Sequence, residues 1–287
     1  MMKLVQTDSL NRLLVCTGKS DFYYTDDQGN NWNQSTGLEG TVDWGFIKKA
    51  VVVNDSINTM YVLTSEWDDN SWSSISKLYI STNQGENFLE IYQFLTDIDK
   101  TDIWAPYQNS DNTIVLANKK VYTLIGDSIK LRTSITSINS GYSLITGCST
   151  QESTTLYAYI NHELHKSTNN GLNWEFITEL EDEPFFSMSF NASISNPYFV
   201  YMGAMECAVS YDGGYISESV NDWWDYYDNP ADKLHADIPN IKAVLNSAGE
   251  EITYVATDGG LYVSNDHLQS VQNISLKDLN VSQYYST

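Results

Sequence analysis

Carboxylates and large aromatic rings are the side chains here with the types and spacing to do chemistry. Acidic residues number 37 against 15 basic ones. Glycoside hydrolysis needs only two facing carboxyl groups, about 5 Å apart for retention or about 6.5–9.5 Å for inversion. Asp43, Asp102, Asp225 and Asp237 lie at loop or strand-start positions where such a pair would be drawn. With so many acids, finding two candidates is weak grounds for an enzyme. Aromatic residues interleaved with acids are the stronger signal. Trp67-Asp68-Asp69-Asn70-Ser71-Trp72 is one such run, and Trp223-Trp224-Asp225-Tyr226-Tyr227-Asp228 is another. Exposed Trp and Tyr faces stack on sugar rings or anchor a protein partner while neighbouring Asp and Asn accept hydrogen bonds. Trp67, Trp72, Trp223, Trp224, Tyr226 and Tyr227 are therefore the candidate ligand-binding residues, against the plainer role of covering the rim between structural units.

Metal and thiol chemistry find less support. His235 and Asp237 lack a third ligand. His162 and His165 fall in a strand-and-turn region, where residues three apart face opposite sides. No metal site is expected, and no cofactor; an acidic surface that collects Ca²⁺ is a secondary reading. Cys16, Cys148 and Cys207 have neither metal nor redox spacing, so buried thiols are expected.

The elements that position these residues are announced by a repeat, [Ser/Thr]-x-[Asp/Asn]-x-Gly-x-x-[aromatic]. It occurs around Asp27, Gly29 and Trp32, around Asn83, Gly85 and Phe88, and around Asn169, Gly171 and Trp174. Partial copies hold Asp212 with Gly214, and Asp266, whose glycine slot falls on Leu268. The Asp or Asn side chain accepts hydrogen bonds from the turn's own backbone, and glycine supplies a positive φ. The aromatic residue opens the return strand and can bury its ring under the turn. This is a strand–turn–strand clip with a structural role.

Successive glycine slots lie 56, 86, 43 and 54 residues apart. The 86-residue gap hides a degenerate hairpin, Lys119–Ile125 and Ile129–Arg132 around Gly126-Asp127-Ser128. Periods of about 40–50 belong to four-stranded propeller blades. Six blades are expected, at about 1–38, 39–97, 98–138, 139–180, 181–235 and 236–287. Asp43-Trp44, Asp102-Ile103-Trp104 and Pro184-Phe185-Phe186 should begin inner strands. No stretch sustains a helical period.

The repeat resembles the Asp-box, or BNR-repeat, β-propellers, which include sialidases, sortilin-type Vps10 domains and xyloglucanase-type hydrolases. His235-Ala236-Asp237, the run Tyr254 to Asp266 containing Thr257-Asp258-Gly259-Gly260-Leu261-Tyr262, and Leu279 to Tyr285 are similar to the Vps10-like and xyloglucanase-like branch. The resemblance implies an all-β fold with the boxes on outer hairpins, away from the central pocket. Sialidases clamp the substrate carboxylate with three arginines; only Arg12 and Arg132 exist here, so that activity is disfavoured. Xyloglucanase-type enzymes place two aspartates between two propellers, so one propeller holds at most half a site. Assembly-factor propellers of photosynthetic membranes present an arginine patch, which two arginines do not build.

A net charge of −22 argues against nucleic acid and anionic membrane surfaces. No apolar run reaches the roughly 18 residues of a membrane span. The start lacks a signal-peptide h-region, while the resemblance favours export directed from outside these residues. Val281 to Thr287 resembles the start of another inner strand, which closes the ring on the first blade or marks a fragment of a longer protein; the fragment reading is slightly favoured. The expectation is an extracellular or cell-surface recognition scaffold for a carbohydrate or protein partner, monomeric or a module of a larger chain. The alternative is a xyloglucanase-like hydrolase, or part of one.

Overall fold

The computed structural model describes residues 2–6, 11–16, 21–38, 46–53, 59–68, 72–109 and 111–275. Asp43 and Trp44, and the closing stretch from Val281, lie outside the described residues. Six four-stranded antiparallel sheets form a ring, each strand pairing with the next in sequence. Blade one runs from Met2–Gln6 to Asn33–Gln34, blade two from Phe46–Val52 to Leu89–Phe94, and blade three from Thr101–Trp104 to Ser128–Ser134. Blade four runs from Ser143–Ser149 to Glu175–Glu179, blade five from Phe190–Ala192 to Glu218–Ser219, and blade six from Asn240–Leu245 to Gln272–Asn273. The only helical pieces among the described residues are two short 3-10 turns, Ile98–Lys100 and Trp223–Tyr227.

The core lies between blades. Strand alternation gives each sheet two faces, and in blades two to five both contribute apolar residues to the junctions. Leu63, Leu78, Val115 and Leu124 fill the space between blades two and three. Ile114, Val121, Ile145 and Leu156 fill the next junction, and Leu144, Tyr159, Phe190 and Val200 the one after. Buried tyrosines carry their hydroxyls to the edge of this apolar space: Tyr61 donates to Gly126 O at 2.7 Å and Tyr157 to Pro197 O.

The repeat turns all join third to fourth strands. In each, the Ser or Thr hydroxyl accepts from the backbone N–H of the glycine slot: Gly29, Gly85, Gly171, Gly214 and Leu268 donate at 2.9–3.0 Å. The Asx carboxyl or amide oxygen accepts from the N–H four residues on, as Asp27 does from Asn31 at 2.8 Å and Asp266 from Ser270 at 2.9 Å. Leu268 takes φ +69 where the other turns have glycine, because blade six uses its side chain, which is buried, to fill the neighbouring core.

Two expectations need correction. Pro184-Phe185-Phe186 does not begin the inner strand of blade five. That strand is Phe190–Ala192, and Phe185 and Phe186 sit exposed in the connection before it. The turn aromatics are not uniformly buried either. Phe88 is enclosed in the core between blades one and two, against Phe22, but Trp32 is 42% exposed, with its ring edge over Gly29.

Candidate functional site

Antiparallel order fixes which segments share a face. The hairpins between second and third strands and the connections from one blade to the next emerge at one end of the ring; the repeat turns emerge at the other. The Trp67–Trp72 hairpin and the Trp223–Asp228 insertion are therefore on the same face, although blades two and five are not neighbours. The end carrying the repeat turns exposes Leu172, Tyr215 and Ile216, but on separate turns held by their own backbone bonds.

The insertion follows blade five and forms the 3-10 helix Trp223–Tyr227. Glu206 accepts from the Trp223 N–H at 3.1 Å. Asn221 bridges to Leu234, accepting at 2.9 Å and donating at 3.1 Å. Tyr226 packs edge-on to His235 with centroids 4.6 Å apart. An added Cβ at Gly259 would come within 2.8 Å of Tyr226 and 2.5 Å of His235, so the Gly259-Gly260 pair lets the insertion seat on blade six. Tyr262 and Asn273 both donate to Pro230 O, at 3.2 and 3.1 Å. Trp224 and Tyr227 point outward, 54% and 65% exposed.

Trp72 is 78% exposed and adopts φ +51, while Trp67 is at the end of its strand and less open. Sequence reading missed the exposed apolar residues Leu95, Ile138 and Met205 on this end of the ring, and gave Phe185 and Phe186, which are also exposed here, to an inner strand. Their signal was available, since each falls between blades or in a second hairpin. Phe185 N–H donates to Gly203 O and Asp237 N–H to Met205 O, which ties the connection into blade five, the second hairpin of blade five and the entry to blade six into one surface.

Among the described residues, the carboxylate candidates Asp102, Asp225 and Asp237 are held in separate places. Asp102 is fully buried, accepting from Lys49 Nζ at 3.2 Å, Ile145 N at 2.9 Å and Ser187 Oγ at 2.7 Å. These partners come from blades two, four and the entry to five, so Asp102 is a strut at the axis. Asp225 is on the outer helix, and Asp237 holds φ +63 at the entry to blade six. They share no partner with Asp102.

Above the strut, Lys48 donates to Ile98 O at 2.7 Å and Thr101 O at 2.6 Å, with its ammonium 5.4 Å from the Tyr142 ring centre. Burial, partly offset by Asp102, lowers its pKa to about 8. His165 is buried against Glu163 at 2.8 Å and His162 turns to Leu180 O, so the two do not form a metal pair. Among the described residues no group of three or more His, Cys, Asp or Glu is placed to hold a metal. Cys16, Cys148 and Cys207 are buried, and burial pushes the Cys148 and Cys207 thiols up to about 12.

No family model matches the chain, and no curated protein matches it. Among solved structures it is similar to BBS1N, crystallised in complex with ARL6DN: 14% identity over 92% of this chain and 77% of that one, TM-score 0.55. It is also similar to YCF48 from Cyanidioschyzon merolae, with 15% identity over 91% of this chain and 78% of that one, TM-score 0.50. Identities this low establish the shared fold. The protein is a six-bladed β-propeller.

Proposed function

We propose that this propeller is a non-catalytic recognition scaffold that engages a protein through the face carrying the 3-10 helix Trp223–Tyr227. The observation that carries the reading is the exposure of Trp224 and Tyr227 on an insertion whose two ends are tied together and to blade five. Rigid aromatic anchors lose little entropy on binding, and such residues dominate interface energies. Leu95, Ile138 and Met205 add aliphatic surface at the same end. Aliphatic side chains suit the apolar surface of a protein better than a hydroxylated sugar. The BBS1N propeller, held in its crystal with ARL6DN, is a precedent for the same fold meeting a protein.

A carbohydrate ligand is the second reading, supported by the Trp67 and Trp72 rings with Asp68 alongside. In keeping with the repeat's resemblance to Asp-box propellers, the setting proposed is extracellular or the cell surface. A glycan array, chemical cross-linking to partner proteins and an assay on β-glucan polymers distinguish the readings. Trp224→Ala with Tyr227→Ala should weaken capture by about a hundredfold, while the melting temperature stays unchanged. Hydrolysis of a glucan that disappears in Asp225→Asn or Asp237→Asn would overturn the reading in favour of an enzyme.

A further inference from the structure

A 3-10 helix repeats every three residues, so the side chains of Trp223–Tyr227 fall on three edges, residues i and i+3 one above the other. Trp223 and Tyr226 take the inner edge. Both are half-buried, and Tyr226 meets His235 with ring centres 4.6 Å apart. Trp224 and Tyr227 form a second edge, open to solvent and braced edge-on by the first. The ring centres of Trp224 and Trp223 lie 5.9 Å apart, and those of Tyr227 and Tyr226 lie 5.5 Å apart. The third edge is acidic. Asp222, Asp225 and Asp228 follow at the same spacing, the first and last capping the helix.

None of these three carboxylates has a hydrogen-bond or ion-pair partner among the described residues. Asp222 stands at the N-cap, where an aspartate ordinarily accepts from the first turn, yet its side chain makes no capping bond. The nearest cation along the chain, Lys233, forms no ion pair with them. Like charges stacked on one edge repel each other. The free protein thus holds an edge of unopposed negative charge beside an edge of open aromatic rings.

We propose that the partner contributes a basic segment whose arginines lie over Trp224 and Tyr227 and pair with Asp222, Asp225 and Asp228; this rests on the reading of the face as a protein-recognition surface. A guanidinium satisfies both edges at once. Its flat face stacks on an aromatic ring, and its rim donates paired hydrogen bonds to a carboxylate. A lysine ammonium is a point charge and offers less of either. The net charge of −22 adds long-range attraction for such a segment.

Isothermal titration of the full chain at physiological ionic strength, with a short peptide of alternating arginine and glycine, tests the assignment. Matched peptides carrying lysine or uncharged citrulline are the comparison. The arginine peptide should bind, the lysine peptide several-fold more weakly, and the citrulline peptide not measurably. Trp224→Ala should weaken arginine-peptide binding by about tenfold. Asp222→Asn, Asp225→Asn and Asp228→Asn together should do the same, and the melting temperature of each variant checks that it is folded. Glu152→Gln, Glu175→Gln and Glu179→Gln remove the same charge from exposed positions on blade four. Screening over that distance should keep their binding within about twofold of the parent's. Equal binding of the arginine and lysine peptides, equal losses in the two sets of charge variants, or indifference to Trp224→Ala overturns the proposal in favour of general attraction to an acidic chain. Failure of all three peptides, with a protein still captured through Trp224 and Tyr227, overturns the basic partner alone and leaves the recognition face standing.

Discussion

Ser217 occupies the place that Trp32, Phe88 and Trp174 hold in other repeat turns. Where those rings come within 3.7–3.8 Å of a Cβ built on the turn glycine, Gly214 is approached by Leu164 and Tyr157. A small apolar pocket remains there, lined by Leu164, Phe190, Val200, Met202 and Gly214 among others. Ser217→Phe should fill it. Burying a ring is worth about 1.5–3 kcal/mol, part of which goes to fixing the side chain. A net gain of about 1 kcal/mol in urea unfolding is expected; a loss would mean that Leu164 already occupies the space. Leu268 poses the opposite trade. Its positive φ costs about 1–3 kcal/mol, but Leu268→Gly would also lose a buried leucine, about 2–5 kcal/mol. Net destabilisation is the expected outcome.

At the scale of the element, the repeat turns set the acid limb of stability. The Asn31 backbone N–H, then its side chain and Thr25, hold Asp27 down at about 2. Asp212 is lowered although partial burial opposes it, because Ile216 N–H and Ser210 bind the carboxylate. In Asp266 burial likewise raises the pKa, and Ser270 with Ser264 outweighs it. Folded values below the unfolded ones mean that these groups stabilise the fold above about pH 4 and lose that contribution as pH falls towards 2. Asp27→Asn, Asp212→Asn and Asp266→Asn together should flatten the decline of Tm between those pH values. Blades two and four already use Asn83 and Asn169 with the same geometry, so the turns themselves should persist.

These turns were also the most legible part of the chain. Gly and Asx at fixed spacing state a backbone requirement in residue types, so blade count, the degenerate hairpin at Gly126 and the leucine in the last glycine slot follow from the pattern. The hydroxyl that opens each turn went unassigned, because Ser and Thr are common in strands and their buried acceptor role has no separate signature. The insertion at Trp223 was visible as composition, but its short helix was not, since five residues carry no period. Asp102 looked like one acid among many; only the ring brings Lys49, Ile145 and Ser187 to it from distant parts of the chain.

For the whole molecule, that strut joins four blades. Asp102→Asn leaves Lys49 buried without its counter-charge, and loss of one partner of a buried pair costs about 3–5 kcal/mol. Urea unfolding should show that loss, and Lys49→Met combined with Asp102→Asn should recover a good part of it. Lys48 acts on the alkaline side. Its folded pKa of about 8 lies below the ordinary lysine value, so the unfolded chain binds the extra proton and stability rises with pH from about 8 to 10.5. Lys48→Met should remove that rise. The junction cores have a further consequence. Every described oily interior is shared by two adjacent sheets, so any of the sheets of blades two to five, cut out alone, would carry bare grease on both sides. Anyone paring the protein to a smaller unit must therefore keep neighbours together, and lineages that lengthen or shorten it must do so by whole sheets.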